Sequence, residues 1–239
     1  EKMSKSKKNV VDPNNIINNY GADTARFFML SDSPPDRDME WTDSGVDGSW
    51  RFLNKVWRFV EGFEYRNPEL KLPTKLSNNQ NDLMRYFNIT VRDVTESIDN
   101  FHFNNAVASI RSLFNRISSF KKIENNDDIV ILYVLNNLLI LINPMVPHIA
   151  EELWEILGNQ GMICNQEWPI IDTQYLQKNN IQVPVQVNGK MRAIIHVPNN
   201  TSKKELETLA LMEPNVKKFL HGTPKKVIIV ANRVVNFVN

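Results

Sequence analysis

The chain has 239 residues, 42% of them hydrophobic and 23% charged, and a formal net charge of +1. That length supports a sizeable core and more than one domain. The single cysteine, Cys164, excludes an internal disulfide framework and a thiolate zinc site. The most apolar run, 129–142, is too short to cross a bilayer and is interrupted by Asn136 and Asn137. No secretory pattern opens the sequence, so a cytoplasmic location is expected, and the sequons at Asn88 and Asn199 read as chance matches.

The near-neutral total hides an uneven distribution. Residues 181–239 carry nine Lys or Arg against three Asp or Glu, while the remainder carries 19 against 24. A basic module on a mildly acidic body suits contact with a polyanion, although solvated lysines also keep small domains soluble.

Asp12-Pro13 predicts a helix start, with Asp as cap and Pro in the first turn, running through Asn19 to a stop at Gly21. A second helix begins at 22–24, with Ala25, Phe28 and Met29 expected on its buried face, and Ser33-Pro34-Pro35-Asp36 ends it. Residues 36–41 form a link. Thr42 then caps a long helix whose Val46, Trp50, Leu53, Trp57 and Val60 recur at three- and four-residue spacing. Trp50, Phe52 and Trp57 are expected in the core. Arg51, Lys55 and Arg58 recur on a different face. Residues 67–76 form a loop, and helices follow over about 78–98, 104–122, 127–142 and 147–157, the last closed by Gly158. Consecutive amphipathic helices with short polar links describe a helical bundle.

The pattern changes after Trp168-Pro169. Residues 173–180 read as a polar linker. An alternating run from Gln182 reaches Asn188-Gly189, the signal of a tight hairpin, and a return strand covers 191–197. Thr201-Ser202 starts a helix, Pro214 a shorter one that ends at Gly222, and 227–230 and 234–238 are strands. The expected fold is therefore mainly α: a helical bundle followed by a small α+β (ββααββ) domain. The boundaries are 1–35 for the opening loop and connecting helices, 36–172 for the bundle, 173–180 for the linker and 181–239 for the basic domain. No internal repeat is present.

The opening string Lys2-Met3-Ser4-Lys5-Ser6 carries the strongest chemistry. Ammonium and hydroxyl groups on a loop suit phosphate oxygens whose negative charge shifts onto a leaving group. Such a string arises by chance in about one in ten thousand chains of this length, at ~1/20 per position. The bland reading is a basic surface loop. His148 and Glu152 stand four apart on a helix, a spacing able to hold a metal, but no third ligand is apparent and no metal is expected. Arg37 lies between two aspartates, where it contacts a partner or bridges its neighbours. A solvated outer face remains the alternative for Arg51, Lys55 and Arg58, as does simple solubility for Lys190, Arg192, Lys217, Lys218, Lys225 and Lys226.

KMSKS, followed by a short helix and YGADTARFFML, resembles the second signature of class I aminoacyl-tRNA synthetases. PPDRDMEWTDSGVDGSWRFLNKVWR, MVPHIAEELW, VNGKMR and KKVIIVANRVVNFVN resemble the leucyl-tRNA synthetase family, in that family's order along the whole chain. The resemblance implies the C-terminal portion of a larger enzyme, beginning at Glu1 rather than at an initiator Met, and a bundle of the class I anticodon-binding type. The isoleucyl, valyl and methionyl relatives fit less well, lacking respectively a one-cysteine tail, a tail without heptads, and this ββααββ module. Another synthetase for a hydrophobic amino acid, or a stand-alone tRNA-binding or structural helical protein, are the rivals.

The resemblance further implies that ATP, with magnesium in the whole enzyme, is bound as substrate by Lys2, Met3, Ser4, Lys5 and Ser6. Lys2 and Lys5 would act catalytically on the pyrophosphate charge, and Met3 would pack at the loop base. Leucine and leucine tRNA are the other partners. Arg37, Arg51, Lys55 and Arg58 in the bundle would touch tRNA backbone. In the tail Lys190, Arg192, Lys217, Lys218, Lys225 and Lys226 would do so. Lys55 replaces the family's usual arginine, exchanging a forked contact for a point charge. The chain is expected to be monomeric, to bind no metal itself, to touch no membrane and, alone, to make no adenylate. Without the remainder of the site, residues 1–9 are expected to be irregular or mobile.

Overall fold

The computed structural model describes residues 3–7, 10–66, 71–176, 180–198, 201–220, 222, 224–230 and 233–238. The chain divides into two compact units, Glu1–Tyr175 and Leu176–Asn239.

The first unit is helical: α1 (Pro13–Tyr20), α2 (Ala22–Asp32), α3 (Asp43–Glu61), α4 (Asn78–Asp99), α5 (Phe103–Ser118), α6 (Asp127–Ile142) and α7 (Pro147–Ile156). Local chemistry explains where most of them begin. The Asp12 carboxylate accepts from the Asn14 N–H at 2.9 Å, with Pro13 in the first turn. The Thr42 hydroxyl accepts from the Gly45 N–H at 3.2 Å. Ser77 and Gln80 form a reciprocal capping box at α4. Gly21, at φ +85°, lets the chain leave α1 and enter α2 directly.

α6 is apolar all round because it is the central helix, with Val130, Ile131, Val134, Leu135, Leu138, Leu139 and Ile142 all buried. α4, α5 and α7 pack against it, α3 packs on α2 and α7, and Leu53, Phe87, Phe114 and Leu153 belong to the same core. Asn136, the polar interruption in α6, exchanges amide hydrogen bonds with Asn159 at 3.2 and 2.9 Å.

Three features differ from the sequence expectations. On α2 the inward residues are Asp23, Thr24, Phe27 and Phe28, while Met29 is 54% exposed. The helix is rotated by one position because the Asp23 carboxylate has a partner inside, described below. On α3 the buried face centres on Ser49, Leu53 and Val56 with Phe52 at its margin. At about 100° per residue Trp50 falls at the edge of that face, and it is 37% exposed, edge-on to Tyr20 at 6.4 Å between ring centroids. Residues 173–175, read as the start of a linker, form a 3-10 turn, and Tyr175 packs on the helical core.

The second unit contains β1 (Asn180–Val187), β2 (Lys190–Pro198), α8 (Lys203–Met212), α9 (Pro214–Lys217), β3 (Lys226–Val230) and β4 (Val234–Val238). Its sheet order is β2-β1-β4-β3, antiparallel except for the parallel β1–β4 pair. Asn188 and Gly189, both at positive φ (51° and 76°), make the tight hairpin turn. Val183, Val185, Val187, Ile195, Val235 and Phe237 face Leu206, Ala210 and Val216 of the helices in a core of their own. The mainly α fold with a small α+β unit matches the expectation.

Candidate nucleic-acid interface

Lys2 lies outside the described residues. Lys5 opens a single 3-10 turn, Lys5–Lys7, closed by the Lys7 N–H donating to the Ser4 carbonyl at 3.1 Å. The Ser4 and Ser6 hydroxyls stand 3.1 Å apart, and Met3 is 42% exposed. Among the described residues 3–7, Lys5–Lys7 thus form this single turn, with Met3 and Ser4 before it.

The segment after this loop is tied to the bundle by one buried carboxylate. Asp23 of α2, 4% exposed, accepts a hydrogen bond from the Ile149 N–H at 2.7 Å, in the first turn of α7. α7 has no side-chain cap of its own, so Asp23 supplies one from another helix. The Arg26 guanidinium pairs with the same carboxylate, and His148 Nδ1 lies 3.8 Å from it. His148 therefore lies beside the Asp23–Arg26 pair, its Nδ1 3.4 Å from the Arg26 guanidinium. Among the described residues no group of three or more His, Cys, Asp or Glu side chains has the geometry to hold a metal ion.

Arg51, Lys55 and Arg58 lie on the side of α3 away from its buried face, and all are exposed. The structure separates them by engagement. Arg51 pairs with Asp47 one turn back at 3.3 Å. Lys55 reaches α5, donating to the Asn115 carbonyl oxygen at 3.0 Å and lying 5.5 Å from the Phe114 ring centroid. Arg58 and Arg37 make no ion pair among the described residues. Arg37 closes a turn through its backbone N–H to Pro34 at 3.0 Å, and the neighbouring aspartates do not neutralise it.

In the second unit the register runs Lys190–Val187–Phe237–Val227 across the four strands. Lys190 and Lys226 therefore stand at the same end of the sheet on opposite edges, about 14 Å apart by strand spacing. Arg192 lies on a β-bulge with its guanidinium 3.5 Å from the Phe219 ring centroid, next to Lys218. Lys190, Lys217, Lys218, Lys225 and Lys226 are exposed and form no ion pair among the described residues. One of the few acids is committed elsewhere: the Ser202 N–H and hydroxyl hold Glu205 below the usual carboxylate range. The six tail cations are thus drawn toward two edges and one helix end, not into a single cluster.

Sequence patterns did not single out Asp23 or Arg111. Arg111 of α5 stacks against Phe27 and Phe52, at 5.1 and 4.9 Å from the ring centroids, with no carboxylate partner among the described residues. The sequon at Asn88 is buried, its amide donating to the Met84 carbonyl and accepting from the Asp172 N–H. Asn199 lies outside the described residues.

Comparison with known proteins places these features in context. Residues 1–42 match the profile of class I tRNA synthetases (I, L, M and V). A leucine–tRNA ligase of Paramagnetospirillum magneticum is 44% identical over 239 residues, covering all of this chain and 28% of the relative. One of Rhodospirillum rubrum is 42% identical over 246 aligned positions, again covering all of this chain and 28% of the relative. The chain thus spans a little over a quarter of the length of these curated relatives. A crystal structure of a LeuRS from Agrobacterium radiobacter K84, in a ternary complex with tRNA and LeuAMS, superposes with a TM-score of 0.79 at 29% identity. It covers 99% of this chain and 30% of the other. A methionyl-tRNA synthetase of Mycobacterium tuberculosis shares the fold at TM-score 0.51 and 17% identity over 63% of this chain and 35% of the other. The profile described as the anticodon-binding domain of tRNA ligase matches residues 80–208, more than half of the sequence, and the chain belongs to that family.

Proposed function

We propose that this chain is the C-terminal, tRNA-binding portion of a leucine–tRNA ligase, which as a whole activates leucine with ATP and transfers it to leucine tRNA. The observation that carries this reading is the unbroken match of all 239 residues to leucine–tRNA ligases at more than 40% identity. A structural neighbour at 29% identity that was solved with tRNA supports it.

In this reading Lys2 and Lys5 neutralise the migrating pyrophosphate charge, while Met3, Ser4 and Ser6 shape the loop around ATP. Ammonium groups on long side chains can follow that charge as it moves, which favours the transition state over bound substrate. The rest of the ATP and leucine site lies elsewhere in the longer protein, so the chain alone makes no adenylate. Magnesium accompanies ATP there, and no metal is resident in this chain. The Asp23 bond to α7 fixes the segment after the loop against the bundle, so that tRNA seated on the helices and ATP under the loop share one frame. Arg37, Arg51, Lys55, Arg58 and the tail cations Lys190, Arg192, Lys217, Lys218, Lys225 and Lys226 hold tRNA backbone, giving orientation rather than base reading. The protein works as a cytoplasmic monomer.

The test is a fluorescence-anisotropy titration of the chain with labelled leucine tRNA and with a tRNA lacking a long variable arm. The expected outcome is salt-dependent binding, tighter for leucine tRNA. Equal and negligible binding of both would overturn the proposal.

A further inference from the structure

α1 is the first α-helix after the opening loop, and none of its residues is buried. Its eight residues are too few to hold a helix alone, so its position depends on what holds its ends. At its far end the Tyr20 carbonyl accepts from the Thr24 hydroxyl at 2.7 Å. Thr24 is 2% exposed and stands in the first turn of α2, beyond Gly21. Its hydroxyl thus satisfies a carbonyl that the end of a helix leaves open. Asp23, its neighbour in the chain, serves a different helix. That carboxylate takes the Ile149 N–H at the start of α7, with the Arg26 guanidinium as counter-charge.

Burying a hydroxyl and a carboxylate is costly unless each is paired, and α2 does not need either to stay on the bundle. Apolar contacts do that. Phe27 stacks on Phe52 at 5.4 Å between ring centroids, and Phe28 meets Trp41 edge-on at 5.1 Å. What the buried pair adds is direction. Packed rings tolerate sliding, whereas two hydrogen bonds made by adjacent residues fix the rotation of the first turn of α2. That turn is where α1 joins. The position of α7 is thereby passed through Asp23 and Thr24 to α1, and from α1 to the chain that bears Lys5.

We propose that Asp23 and Thr24 are positioning residues for leucyl-adenylate formation. The inference rests on the ligase reading and deepens it by naming the joint between bundle and loop. Asp23 sets the first turn of α2 against α7, and Thr24 sets α1 against that turn. Both side chains are buried and act at a distance, by holding the loop lysines where the pyrophosphate charge develops.

Leucine-dependent pyrophosphate exchange by the longer ligase that contains this chain tests the joint. Asp23→Ala and Thr24→Val should each lower kcat about tenfold with the KM for leucine unchanged, since a displaced loop costs the transition state and not the leucine site. Thr24→Ser keeps the hydroxyl and should stay within about twofold of the unmodified enzyme. Asp127→Asn weakens the same unit where α4 meets the turn before α6, and should leave exchange unchanged. In the chain itself, the amides of residues 16–20 should exchange hydrogen at least about tenfold faster in Asp23→Ala and Thr24→Val, while those of α4, α5 and α6 keep their protection. Unchanged kcat in both variants, an equal loss in Asp127→Asn, or an equal loss in Thr24→Ser and Thr24→Val would overturn the joint and leave the ligase reading standing. No leucine-dependent exchange by the unmodified ligase would overturn that reading itself.

Discussion

A carboxylate's effect depends on which donors surround it, and Asp127 shows this at the scale of one residue. Burial alone would raise its pKa. The N–H groups of Glu124 and Ile123, the Gln80 amide and the Lys122 cation outweigh burial and hold it below the usual carboxylate range. Its two oxygens accept at 2.7, 2.8 and 2.8 Å, joining the turn before α6 to the first turn of α4. A carboxyl group depressed in the folded state stabilises it above the unfolded-chain value of about 4, and that stability is lost as pH falls through the lower folded value. Urea midpoints of the helical unit, followed by circular dichroism, should therefore drop between about pH 5 and 3. Asp127→Asn should cost about 1–2 kcal/mol at neutral pH and flatten that drop. A variant with the wild-type acid profile would count against this role.

Among elements, α3 carries two glycines with opposite surroundings. A Cβ at Gly45 would overlap Phe28 Cε2 and sit 2.8 Å from the Thr42 cap oxygen, whereas at Gly48 it would meet nothing within 4 Å. Gly45→Ala should destabilise the bundle by about 1–3 kcal/mol, since the Phe28 ring is itself packed edge-on against Trp41. Gly48→Ala should stabilise it by about 0.5–1 kcal/mol through helix propensity. Thermal unfolding of both variants checks the signs, and two shifts in the same direction would refute the packing argument. The same helices show which parts of the fold were legible in the sequence. Starts at Asp12, Thr42 and Ser202 were readable because a cap acts over three residues. The face of α2 was not, because the donor that buries Asp23 is Ile149, 126 positions away. The order of the strands was equally hidden, since the parallel β1–β4 pair joins segments separated by two helices. In the candidate interface the charges were plain, but their engagement was not. Arg51 and Lys55 already have partners on α3 and α5, while Arg111, stacked on Phe27 and Phe52, showed no pattern that would mark it.

At the scale of the whole molecule, stability and charge are divided unequally between the two units. Each unit closes its own apolar cluster, one built from helices and the other from a sheet face under α8 and α9, and no residue belongs to both. A chain ending at Tyr175 therefore keeps every residue of the helical core. It loses the nine Lys and Arg of 181–239, which face only three acids there. Phosphate contacts made by such side chains release counterions, so their number is read from the slope of affinity against salt. We expect the 1–175 chain to unfold at the same temperature as the helical unit of the full chain. Its affinity for leucine tRNA should fall at least about tenfold near 0.1 M salt, with a slope shallower by about two contacts or more. A lowered unfolding temperature would mean that the helical unit draws stability from beyond Tyr175. An unchanged slope would mean that the tail lysines stay in solvent when tRNA is bound, and the helical unit would then carry the whole electrostatic contact through exposed cations such as Arg58 and Arg37.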